Sequence, residues 1–181
     1  GGNIGTASPI GDGPPALIAL GADITLASRN GSRSMKLEDF FLDYRKTELR
    51  PDEVIASVTV PRAGPGAAFR VYKLSKRYDQ DISTVCGAFN MTVTDGTVTA
   101  CRVTYGGMAA IPKRAKASEN KLLGRRLDAE SVAAAAAALP EDFQPLSDWR
   151  GTAAYRMRTA GALLQRLAND LAGETVEVMA L

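Results

Sequence analysis

Three long alternating stretches in the middle of the chain limit its fold more than any other feature. Residues 68–77, 83–93 and 97–106 place apolar side chains at roughly every second position. That is the period of a strand with one buried face. Asp95-Gly96 separates the last two, and this dipeptide accepts the left-handed backbone of a tight hairpin. The three therefore form an antiparallel meander. The pattern then turns helical. Residues 112–123 read as one helix that ends before Gly124. Asp128 opens an alanine-rich helix that runs to Leu139 and stops at Pro140. Residues 151–172 carry Tyr155, Ala162, Leu163, Leu167 and Leu171 on one broad face, which is core patterning. Three strands with helices on one face make an α+β arrangement.

Ahead of the meander, Pro14 to Gly21 reads as a short helix with prolines in its first turn, Asp12 as its N-cap and Gly21 at its stop. Residues 22–28 and 33–37 are strands joined by a turn at Asn30-Gly31. A short helix over 37–41 follows, and a strand over 56–61 comes later. Ala63-Gly64-Pro65-Gly66 is the strongest punctuation in the sequence. Two units are expected, 1–65 and 66–181.

Composition removes several functions. The 181 residues are 45% hydrophobic, enough to bury a core. Lys and Arg number 22 against 20 Asp and Glu, a net charge of +2. That mixture lacks the concentrated basic face of a nucleic-acid binder. The chain has no histidine, so it contains no His-based metal site, no Ser-His-Asp triad and no Cys-His dyad. Cys86 and Cys101 sit in apolar β-like runs without metal-ligand spacing. They read as free thiols of a reduced, cytoplasmic protein. No apolar run approaches the roughly 20 residues of a membrane span.

The first twelve residues, Gly1-Gly2-Asn3-Ile4-Gly5-Thr6-Ala7-Ser8-Pro9-Ile10-Gly11-Asp12, are the stretch around which function is organised. Glycines let backbone approach a ligand, and amide, hydroxyl and carboxylate groups add directional hydrogen bonds. Such a loop entering a helix suits an anionic ligand such as a diphosphate. It is neither a P-loop nor a GxGxxG fingerprint. The chain begins inside this loop, so a preceding segment is expected.

GGNIGTASPIGDGPPALIALGA, followed by FFLDYRKTEL, YKLSKRYDQDIS and TYGGMA, resembles the flavin domain of the xanthine dehydrogenase family of molybdenum hydroxylases. The resemblance runs over nearly the whole chain. It implies the end of a PCMH-type FAD-binding domain, followed by a carbon monoxide dehydrogenase flavoprotein-like C-terminal domain: a three-stranded antiparallel sheet with a helical layer. It implies that Gly1, Gly2, Asn3, Thr6 and Ser8 meet the phosphate and ribityl parts of FAD. Asp12 then hydrogen-bonds the cofactor or caps the loop that does. Ile55 packs on the flavin ring, although its own pattern reads as strand-edge core. Lys73 shares a strand face with Phe69 and Val71; its pattern fits a snorkelling lysine or one held by an acceptor, and the resemblance places it near the flavin. Tyr44, Gln80 and Asp81 are implied to lie near NAD. Gln80 stands where animal relatives carry an acid.

The activity implied is purine oxidation at a molybdenum centre, with electrons passing through FAD to NAD. Molybdopterin and two 2Fe–2S clusters belong to the complex, not to this chain. The implied partners are the preceding half of the flavin domain, the iron–sulfur domains and a molybdopterin-binding large subunit, in a hetero-oligomer without nucleic acid or membrane. Two alternatives stand beside this: a sister flavoprotein of aldehyde oxidase or carbon monoxide dehydrogenase, and a cofactor-free assembly domain.

Overall fold

The computed structural model of the chain describes residues 2–174. The first part runs α1 (Gly2–Gly5), α2 (Gly13–Ala19), β1 (Asp23–Ser28), β2 (Gly31–Lys36), α3 (Leu37–Phe40), β3 (Phe41–Asp43), β4 (Lys46–Thr47) and β5 (Val54–Thr59). The second runs β6 (Ala67–Leu74), β7 (Val85–Thr94), β8 (Thr97–Gly106), β9 (Lys113–Arg114), α4 (Lys116–Leu122), α5 (Ala129–Asp142) and α6 (Ala153–Leu171).

Alternation builds the first sheet, of order β2-β1-β5. Ile24 and Leu26 turn inward from β1 and pack with Ile4, Ala7, Ile18, Leu37 and Phe40, all buried. The helical turn α1 and the helix α2 therefore lie against this sheet through their apolar residues. Helix α2 ends as expected. Gly21 N–H donates to Ile18 C=O and Ala22 N–H to Leu17 C=O, the paired bonds of a Schellman stop.

The second sheet is antiparallel with order β6-β7-β8-β9. Asp95 and Gly96 both take positive φ, 49° and 76°, and close the β7–β8 hairpin. One face carries the larger core, in which Tyr72, Phe89, Val103 and Tyr105 meet Leu122, Val132, Leu139, Leu163 and Leu167. The Tyr105 hydroxyl donates to Ala160 C=O across the sheet–helix boundary at 2.8 Å. Asp128 and Ser131 cap α5 reciprocally, and Thr152 caps α6.

The α+β class and the helix-covered meander are present as read. Several details differ. A fourth strand, β9, extends the expected three: Lys113 and Arg114 pair with Tyr105 and Thr104 before the helix begins at Lys116. The helix pattern does not show it, because a strand of two residues has no periodicity to detect. Helix α5 continues through Pro140 to Asp142, since a proline in a last turn forfeits one bond rather than the helix. Strand β5 starts at Val54, two residues early. Gly2–Gly5 forms a helical turn, not an open loop. The second sheet's other face is not bare, because α2 lies on it: a side chain at Gly106 would meet Pro15 Cγ at 3.0 Å and Pro9 O at 3.3 Å. Glycine at this strand end is required for that approach.

Charged groups fasten the two sheets together. Arg102 of β8 donates to Ile18 C=O from Nε (3.0 Å) and Nη2 (2.8 Å), at the C-terminal end of α2. The same Nη2 is 2.6 Å from Glu38 Oε2 on α3. Arg114 also reaches Glu38, at 3.3 Å, and grips the buried Glu119 at 2.5 Å. Glu119 in turn accepts Val103 N–H at 2.8 Å. Glu38 is thus the anion shared by two arginines of the other sheet, and its side chain is only 20% exposed. Glu38→Gln is expected to destabilise the protein by about 2 kcal/mol in urea unfolding, because two half-buried guanidinium groups lose the carboxylate charge they share. Asp23→Ala, which breaks the exposed Lys36 pair, is expected to cost less than about 1 kcal/mol. Equal costs would remove Glu38 from this role.

Candidate functional site

The glycine segment is held by its backbone and by its one acid. Thr6 N–H donates to Gly2 C=O and Ala7 N–H to Ile4 C=O, both at 3.0 Å. Ala7 is buried with a φ of 45°, a left-handed conformation that residues other than glycine adopt at some cost. The Ser8 hydroxyl accepts Ile10 N–H at 3.4 Å, and Pro9 C=O accepts Gly107 N–H at 2.7 Å.

Asp12 departs from its expected role. It occupies the N-cap position of α2 but makes no side-chain capping bond. Its carboxylate turns toward the second sheet instead. Oδ2 accepts Lys73 Nζ at 2.8 Å, and Oδ1 accepts the hydroxyl of the fully buried Ser83. Lys73 is therefore held by an acceptor and does not simply snorkel. Cys86, its cross-strand partner, is buried beside this pair. Its thiol is pushed up to about 12, by burial first and by Asp12 second. Nothing here makes it a nucleophile.

At the other end of the segment, Ile55 Cδ1 lies 3.5 Å from where a Gly5 side chain would begin. Asn3, exposed on α1, lies over Gly11 and Gly13. Gly2 has open space around its Cα. The segment thus presents exposed peptide at Gly2 and Gly5, an aliphatic tip from Ile55, an amide from Asn3, and the Asp12–Lys73 pair. Such a sequence of groups suits a flat ring carrying a polar, anionic tail. Gly1 lies outside the described residues.

Ile55 is positioned by a contact that the sequence pattern does not reveal. Glu53 Oε1 accepts Arg33 Nε at 2.7 Å, and Oε2 accepts Arg33 Nη2 and Arg50 N–H, each at 2.9 Å. The Arg33 bonds hold the Glu53 carboxyl down at about 2. They fix the turn that leads into β5.

Tyr44, Gln80 and Asp81 stand on loops. Tyr44 is 60% exposed at the tip of the β3–β4 hairpin. Gln80 is exposed with a φ of 49°. Asp81 points into its own loop: it accepts N–H groups of Lys76 (3.0 Å), Arg77 (2.9 Å) and Ile82 (2.9 Å). These bonds, the Arg77 amide foremost, lower its pKa. Its geometry is that of a loop organiser. Arg150 closes the loop from behind, donating to Ile82 C=O at 3.1 Å while stacked 4.0 Å over Trp149. Arg156 is buried and donates to Thr84 C=O and Gly107 C=O, with Asp148 as its anion, so these residues hold the start of α6 against the sheet.

Two family models cover the chain. Residues 1–63 match the FAD binding domain in molybdopterin dehydrogenase, and residues 70–171 match the CO dehydrogenase flavoprotein C-terminal domain. The chain belongs to this family: it is an FAD-binding domain of the molybdenum hydroxylases. Among individual relatives, the xanthine dehydrogenase/oxidase of Rattus norvegicus is 35% identical over 154 residues, 83% of this chain and 12% of the relative. The FAD-subunit of nicotinate dehydrogenase from Eubacterium barkeri is 31% identical over 94% of this chain and 59% of its own length. In three dimensions, a chain of carbon monoxide dehydrogenase from Hydrogenophaga pseudoflava superposes with a TM-score of 0.87 at 34% identity, covering 92% of this chain and 57% of that one. The chain thus spans about an eighth of the long xanthine dehydrogenase relative and somewhat over half of the flavin-subunit relatives.

Two outcomes check this geometry. Glu53 has a folded pKa of about 2 against an ordinary 4.5. Its contribution is therefore present above pH 4.5 and lost as pH falls toward 2. Urea midpoints measured across that window should fall less steeply for Glu53→Gln than for the unmutated protein; identical slopes would contradict the assignment. At Gly13 an added methyl would sit 2.6 Å from Asn3 Oδ1. Gly13→Ala is expected to displace that flexible side chain and lower FAD affinity about tenfold by flavin titration, with unfolding stability changed by less than about 1 kcal/mol. Unchanged affinity would place Asn3 outside the site.

Proposed function

We propose that this chain is the C-terminal portion of the flavin-binding unit of a xanthine dehydrogenase, and that it serves as the exit for electrons. In this reading the complex oxidises hypoxanthine or xanthine at a molybdenum centre, and the electrons leave through FAD to NAD. The observation that carries the reading is the similarity to a xanthine dehydrogenase over 83% of the chain. The division of labour follows the punctuation at Gly64-Pro65: residues 1–65 end the FAD-binding domain and residues 66–181 form the C-terminal domain. FAD supplies one-electron exchange and hydride transfer when bound.

The chain's own residues bind and orient. Gly1, Gly2, Asn3, Thr6 and Ser8 offer peptide, amide and hydroxyl groups to the phosphate and ribityl parts. Ile55 excludes water from one face of the ring. Lys73 and Asp12 set the charge at the ring's edge. Tyr44, on its exposed hairpin, and Gln80, on the loop between β6 and β7, receive NAD. The contribution of Asp81 is to hold that loop in shape. Molybdopterin and the two 2Fe–2S clusters are assigned to partner segments and a large subunit of a cytoplasmic hetero-oligomer. No helix among the described residues is long and apolar enough to cross a membrane.

A second reading is favoured by the fold comparison. The superposition on a carbon monoxide dehydrogenase chain supports the flavin subunit of a sister enzyme with another substrate. The intact native complex, given xanthine and NAD, decides between them. Rapid NADH formation is expected. Flavin bleached by carbon monoxide or nicotinate, but not by xanthine, would transfer the assignment to a sister enzyme. Bleaching by xanthine without reoxidation by NAD would overturn the acceptor.

A further inference from the structure

Ser83 has no role in the reading above, yet its placement is specific. Its side chain is fully buried, and its hydroxyl donates to Asp12 Oδ1. The other oxygen of Asp12 accepts Lys73 at 2.8 Å. Ser83 is itself immobilised from both sides. Its neighbour Thr84 donates N–H to Leu74 C=O at 2.7 Å, and Ile82 C=O accepts Arg150 at 3.1 Å. Asp12 and Lys73 have side chains 44% and 39% exposed. Ion pairs so exposed are ordinarily loose and weak. A buried hydroxyl on the carboxylate's second oxygen removes that freedom.

We propose that Ser83 is a positioning residue for the flavin: its hydroxyl pins Asp12 against Lys73 and so sets how much of the lysine's charge reaches the bound ring. The inference rests on the flavin reading of this site. With Asp12 pinned, the pair acts as a fixed dipole and not as a free cation. If the pin is removed, Asp12 swings into solvent and Lys73 becomes an uncompensated positive charge beside the ring. Uncompensated positive charge favours the electron-rich reduced flavin. Ser83 thus acts through Lys73 and touches no reacting atom.

The test is the midpoint potential of FAD in the intact flavin protein. Ser83→Ala is expected to shift it to more positive values, and Ser83→Thr, which keeps the hydroxyl, to return it toward the starting value. In a Lys73→Met background the shift caused by Ser83→Ala is expected to shrink, since the lysine charge through which it chiefly acts is gone. An unshifted potential in Ser83→Ala, or a shift that persists undiminished with Lys73→Met, would overturn the proposal. Should Ser83→Ala release FAD, its dissociation constant is measured in both backgrounds. A loss seen only with Lys73 present supports the proposal, and an equal loss in both overturns it. An unmutated protein that bound no FAD would instead overturn the flavin reading on which this rests.

Discussion

The carboxylate of Asp12 is shared between Lys73 of the second sheet and Ser83 just ahead of β7, and the position of the glycine segment follows from that sharing. A segment with so many glycines has high conformational entropy when free, and fixing each residue costs about 1–2 kcal/mol. Its own hydrogen bonds are few. The ordering comes from outside it: Lys73 and Ser83 hold Asp12, Gly107 N–H holds Pro9, and Arg102 holds the end of α2. All four anchors belong to the second sheet or the residues at its strand ends. The surface assigned to FAD is thus built by both units. The C-terminal unit contributes the scaffold that makes the glycine segment a defined shape.

The arginine cluster makes the same point from the opposite side. Arg102 and Arg114 meet Glu38 where the two sheets adjoin. Gly106 lets α2 come close enough for that meeting. Packing, backbone hydrogen bonds and ion pairs agree on one relative placement of the two sheets, which is the condition for a site whose parts come from both.

How far the sequence discloses this depends on range. The β7–β8 hairpin was legible because Asp95-Gly96 is a local signal, and the capped start of α5 because Asp128 is one. The glycine segment was legible as a ligand-facing element from its composition, and the resemblance of four motifs in order led to the family. Long-range pairings were not legible. Asp12 has the spacing of an N-cap, and only the fold shows that Lys73 and Ser83, 61 and 71 residues away, draw it off that duty. Ser83 gives almost no signal, since a serine at the start of a strand is ordinary. Glu53 and Arg33 look like solvated charges until β2 and the turn into β5 come together. Lys113 and Arg114 were absorbed into a helix pattern because a two-residue strand has no periodicity to detect.

The central claim is that the glycine segment from Gly2 to Asp12 receives the flavin together with Ile55 and Lys73, with the buried Ser83 holding Asp12 in place. Amide hydrogen exchange of the intact flavin protein, compared with and without FAD, tests it most directly. The account predicts that FAD slows exchange in residues 2–13, at Val54 to Ala56 and at 73–84, while α4 and α5 exchange alike in both forms. Protection concentrated in the helical layer, with the glycine segment unaffected, would contradict it.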